Sequence, residues 1–171
     1  MKKRIFSILL VCCMVLALLP TTALAENGGA EAADLAPKPV DETTPAFRDI
    51  HIRNVWCRGA RRAMYFNGLP EMNVERVTVE NTQIYAATGA QINESSDVVL
   101  RDVQIVPEQG PALMLNNVKN LSAEGFVCPE GLERALVVTG SRNRSIEVSS
   151  PQITGANASL PKGAAQYVAI K

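Results

Sequence analysis

The residues of this chain that could do chemistry are few, and their spacing narrows what they could do. Arg58, Arg61 and Arg62 form its densest basic cluster, next to Gly59, and guanidinium groups so placed are suited to binding a polyanion. The competing reading is a solvated corner neutralised by Glu71, Glu75 and Glu80. Asp97 with Asp102, and Glu75 with Glu80, are carboxylate pairs five residues apart, which general acid–base catalysis could use at opposite ends of one short strand. A turn role explains Asp102 equally well. The single histidine, His51, lies between Ile50 and Ile52 and is expected on the surface; its solitude argues against a histidine-based metal site or a Ser-His-Asp triad. No metal or cofactor is expected.

The first 25 residues are set apart from these. Lys2, Lys3 and Arg4 precede an apolar run that ends near Pro20, and Ala23-Leu24-Ala25 has the small-x-small form of a signal-peptide cleavage site. The expected product is secreted or extracellular, with a leader of bacterial type and no membrane association after cleavage. Residues 26–44 read as a flexible, mildly acidic Ala/Pro linker. Without the leader, 14 basic residues face 17 acidic ones, a net charge of −3 that makes nucleic-acid binding unexpected.

Beyond Pro45 the sequence repeats. The pattern apolar-x-apolar-x-small/polar-x-x-apolar occurs as Ile50-Ile52-Asn54-Cys57, Val77-Val79-Asn81-Ile84, Val98-Leu100-Asp102-Ile105, Leu121-Ala123-Gly125-Cys128 and Ile146-Val148-Ser150-Ile153. Their starts are 27, 21, 23 and 25 residues apart. Alternation with period 2 means strands. In each unit the apolar positions on either side of the Asn, Asp, Gly or Ser differ in parity, so the chain must turn there, and those residue types tolerate a left-handed corner. A parallel β-helix of about five coils follows, over residues 45–153, with 154–171 as a C-terminal tail. A leucine-rich repeat would need a regular Leu framework, and a β-sandwich a run of hairpin turns; neither is present.

A fainter register, Ala63-x-Tyr65, Ala90-x-Ile92, Ala112-x-Met114 and Ala135-x-Val137, follows each start by 13 or 14 residues. With the Ala face inward, Met64, Phe66, Leu113, Leu115, Leu136 and Val138 would form an external apolar stripe covered by the tail or by a partner. Cys57 and Cys128 fall in the first and fourth units. Three stacking steps of ~4.8 Å put them too far apart for a disulfide, so two buried free thiols are expected.

Several segments bring a family with them. Thr44 to Val55, Gly59-Ala60, Gly68-Leu69-Pro70-Glu71-Met72 and Val77-x-Val79-Glu80-Asn81 resemble the C-terminal coils of glycoside hydrolase family 28, the polygalacturonases and related pectin-degrading enzymes. The resemblance spans residues 38 to 153 and implies a right-handed, single-stranded, pectin-lyase-like parallel β-helix. It also implies inverting hydrolysis by aspartates. The family carries these in an Asn-Thr-Asp segment and an Asp-Asp pair, with Gly-His-Gly and Arg-Ile-Lys segments nearby, and none of them occurs here. Ala169-Ile170-Lys171 has Ala where the basic segment would need Arg.

The expectation is therefore a family 28-like β-helix without the catalytic aspartates, inactive alone, with no catalytic residue assigned. Arg58, Arg61 and Arg62 are its candidate substrate-binding residues, and polygalacturonate, an acidic polysaccharide, is the candidate ligand. The alternative is a non-catalytic carbohydrate-binding or partner-docking module. Its open coil end would associate with another chain or with itself.

Overall fold

In the computed structural model of the protein, residues 36–171 are described. The expected signal peptide and the first part of the expected linker lie outside the described residues. Residues 36–44 are largely exposed, with an Asx turn in which Thr43 N–H donates to Asp41 Oδ1 at 2.8 Å.

The rest is a right-handed parallel β-helix of about 5 turns. Its strands are β1 (Arg48–Arg53), β2 (Trp56–Asn67), β3 (Val74–Glu124), β4 (Leu136–Thr139), β5 (Arg144–Val148), β6 (Ala158–Ser159) and β7 (Val168–Ile170). All inter-strand pairings are parallel, and β3 continues around more than one full coil, receiving β1 and β2 on one edge and β4 and β5 on the other. The register matches the repeats: Ile50 pairs with Val77, Leu121 with Ile146, and Cys57 with Ile84.

The reason is burial. Val77, Val79, Ile84, Val98, Leu100, Ile105, Leu121, Ala123, Cys128, Ile146, Val148 and Ile153, all repeat positions, are buried in one core. Each large aliphatic side chain so buried contributes about 1.5–3 kcal/mol relative to exposure. The corners behave as their residue types predict. Asn54, Asn81, Asp102 and Gly125 have φ of 56°, 45°, 51° and 63°. Ser150 is the exception; it turns without a left-handed angle and is buried.

Three expectations change. First, the stripe proposed to lie outside lies inside: Met64, Leu113, Leu115, Leu136 and Val138 are buried and Phe66 is half-buried against the core. Ala112 and Leu113 N–H both donate to Ala135 O at 3.0 Å, and Ala135 and Leu136 N–H both donate to Asn157 O. Two consecutive amides aimed at one carbonyl mark a kink that breaks alternation, so both residues of each pair face inward. In the first coil it is Met64, not Ala63, that pairs with Ala90.

Second, residues 154–171 are more than a tail. Ala158–Ser159 adds to β4 and Val168–Ile170 adds to β5, continuing the stack. Third, Cys57 and Cys128 are both unbridged thiols, but only Cys128 is fully buried, its pKa pushed up by desolvation; Cys57 is half-buried.

Candidate functional site

The corner after each first strand turns the chain so that one position per coil, just before the last apolar residue of the repeat, points outward. Trp56, Gln83, Gln104 and Val127 occupy it, with Trp56 paired to Gln83 and Gln104 bridged to Val127. Two residues further on, Arg58 and Tyr85 also face out.

Gly59 shapes this face. Three steps separate Cys57 from Ala60 in the first coil where two separate Ile84 from Ala86 in the second, so β2 carries a bulge there, and Gly59 takes φ 73° with open space around it. Beside the bulge, the Arg58 guanidinium lies 5.3 Å from the Trp56 ring centroid and 5.0 Å from that of Tyr85. Further along β2, Arg62 stacks on Tyr65 at 4.3 Å. Both rings are well exposed, Trp56 at 64% and Tyr65 at 52%. Cation–π contacts of this kind contribute about 0.5–1 kcal/mol each at exposed sites, enough to bias the orientation of the guanidinium.

Below Trp56 an amide chain continues across the coils. Gln83 Nε2 donates to Gln104 Oε1 at 2.7 Å and to Tyr85 Oη at 2.9 Å. Asn54, Trp56, Asn81, Gln83, Asp102 and Gln104 line a shallow cleft of about 290 Å³. Asn81 Nδ2 donates to Asn54 Oδ1 at 2.7 Å along its rim.

The three arginines named from sequence are therefore on one coil but not in one cluster. Arg58 joins Trp56 and Tyr85, Arg62 joins Tyr65, and exposed Arg61 contributes its carbonyl to the Thr88 hydroxyl at 3.1 Å. None has a carboxylate partner among the described residues. The carboxylates expected to neutralise them are engaged elsewhere, Glu75 with Arg76 at 3.0 Å and Glu80 with Arg101 and Arg53.

The carboxylate pairs considered for hydrolysis are corner and ladder residues. Asp97 and Asp102 both hold left-handed angles, and Asp97 accepts a hydrogen bond from Asn120 Nδ2 at 3.0 Å. Asp102 is the one carboxylate lining the cleft, whereas inverting hydrolysis needs two, about 6.5–9.5 Å apart. His51 is exposed, as expected. Its neighbour Asp49 is held by Arg76 at 2.6 Å, a hydrogen bond that lowers the carboxyl pKa and raises that of the guanidinium. Among the described residues no group of three or more His, Cys, Asp or Glu is placed to hold a metal ion.

Trp56, Tyr65, Gln83, Tyr85 and Gln104 were not singled out from sequence. The signal was present: the residue before the last apolar position of each repeat reads Trp, Gln, Gln, Val, Gln. That column becomes a face only once the coils are stacked.

Fold and face together define a β-solenoid with a cationic, aromatic and amide-rich outer surface on its first coils. No family model, no curated protein and no solved structure matches the chain. The family 28 resemblance thus stands on the residues quoted for it.

Proposed function

We propose that the protein is a secreted, non-catalytic relative of the family 28 β-helices that binds an acidic polysaccharide of the polygalacturonate type. The observation that carries this reading is the exposed Trp56–Arg58–Tyr85 stack. A uronic acid residue presents an apolar C–H face, which packs on an aromatic ring, and a carboxylate, which pairs with a guanidinium. Here both complements stand side by side, with Arg62 on Tyr65 further along the same strand and amides in the adjoining cleft. Arginines free of carboxylate partners among the described residues need not give up an ion pair to take a ligand. The absence of the family's aspartate motifs supports binding over turnover.

Titrating polygalacturonate into the purified protein, with an assay of released reducing ends on the same samples, tests this. Saturable binding without turnover is expected, weakened as salt rises, and at least tenfold weaker in Trp56→Ala or in the Arg58→Ala, Arg62→Ala double variant. Fully methyl-esterified pectin, which lacks the charge, should bind more weakly. Failure to bind, or release of reducing ends by the wild-type chain, would overturn the reading.

A further inference from the structure

The two ends of the stack are finished differently. At the C-terminal end the closing strands are only two and three residues long, and the 3₁₀ turn Ala164–Gln166 packs with them, burying Ala164 in the core. Short edges are poor templates for further pairing. At the N-terminal end β1 and β2 offer edges of six and twelve residues that hydrogen-bond only to β3. No described residue pairs with their other side.

Apolar exposure concentrates at the same end. Ile50 is 36% exposed although its partner Val77, with a coil on either side, is 1% exposed; Phe47, which begins the coil, is 58% exposed. The first coil has the side chains of an internal coil and the accessibility of a terminal one.

Charge says what fits there. Residues 48–67 hold five arginines against one aspartate. The second coil answers them with carboxylates: Glu75 is in register with Arg48, and Glu80 with Arg53 at 3.6 Å. A second copy approaching head to head would set one arginine-rich coil against another, which disfavours self-pairing. We infer that this edge receives an acidic extended segment of a partner polypeptide, which adds one more parallel coil over β1 and β2 by strand addition. Its apolar residues would alternate so as to cover Phe47 and Ile50, and its carboxylates would meet Arg48 and Arg53 from the free side as Glu75 and Glu80 do from the other. The residues involved differ from those of the saccharide face, so this inference stands apart from that reading.

The second coil supplies the probe. A fluorescein-labelled peptide with the sequence of residues 73–93, and a scrambled peptide of the same composition, are titrated against the purified full chain by fluorescence anisotropy. The ordered peptide should bind saturably and at least tenfold more tightly than the scrambled one. Arg48→Glu with Arg53→Glu should weaken it at least tenfold, and a peptide carrying Lys in place of both glutamates at positions 75 and 80 should recover binding to that double variant. This recovery guards against a misfolded variant, and Trp56→Ala should leave peptide binding unchanged. No saturable binding, equal binding of the scrambled peptide, or no response to charge reversal would overturn the inference. So would sedimentation showing that the chain dimerises through this edge and excludes the peptide.

Discussion

Among the described residues ten positions other than glycine hold left-handed backbone angles, and they align in columns. Asn54, Asn81 and Asp102 make one; Asp49, Arg76, Asp97, Asn120 and Ser145 make a second; Glu94 and Asn117 lead to Gly140 in a third. Such angles cost about 1–2 kcal/mol for a residue with a Cβ, so a column survives only where stacking offsets the cost. Side-chain bonds between coils do part of this: Asn81 to Asn54, Asn120 to Asp97, and Asn117 Nδ2 to Glu94 Oε1 at 2.6 Å. The glycines test the argument. Gly59 and Gly140 have similar φ, 73° and 86°, but a Cβ on Gly59 meets nothing within 4 Å, whereas one on Gly140 would lie 2.2 Å from Asn117 Oδ1. That oxygen accepts the Arg142 N–H at 3.0 Å and cannot withdraw without losing the bond. Gly59→Ala should therefore cost about 1–2 kcal/mol, the backbone penalty alone, and Gly140→Ala distinctly more. Urea unfolding of the two variants measures the difference; equal losses would show that the third column is looser than drawn.

At the scale of the strand, the bulge in β2 separates what serves the fold from what serves the face. The residues after it keep their register with the second coil, Ala60 with Ala86 and Met64 with Ala90. Deleting Gly59 should leave two steps opposite two and turn no downstream side chain over. The expected result is a melting temperature within a few degrees of the wild type, together with weaker polygalacturonate binding as Arg58 is re-aimed relative to Trp56 and Tyr85. A collapse in stability would mean that the bulge relieves strain in the first coil.

The same strand shows what sequence can and cannot convey. The first register was legible because its apolar positions and its Asn/Asp/Gly corner are coded locally and recur in every unit. The second register was misread by one residue because the alternation fails at the Ala112–Leu113 and Ala135–Leu136 kinks, where a shared carbonyl between coils sets the direction. That interaction spans 22 or more residues and leaves no local mark. For the site, the arginines were legible as a cluster, but their division between separate aromatic rings depends on the bulge and on Tyr85 of the next coil.

In a stack of this kind each coil is stabilised mainly by its neighbours, so protection against local opening should depend on position in the stack. The third coil has neighbours on both sides: Val98, Leu100, Val103 and Ile105 are fully buried. The first has one neighbour, half-buried Ile52, Cys57 and Phe66, and backbone groups on its free edge with no partner among the described residues. Leu100→Ala should accordingly cost about 2–5 kcal/mol. Ile52→Ala, at the equivalent repeat position two coils away, should cost less, because its site is already partly open to water. Amide hydrogen exchange should report the same gradient without mutation, fast across 48–53 and slowest across 98–106, with the C-terminal strands intermediate because the Ala164–Gln166 turn packs with them. The acidic segment inferred to dock on the first coil gives that coil its second neighbour. Its binding should slow exchange in 48–53 far more than in 98–106. A saccharide on the outer face contacts side chains and leaves the edge amides open, so it should produce no such slowing.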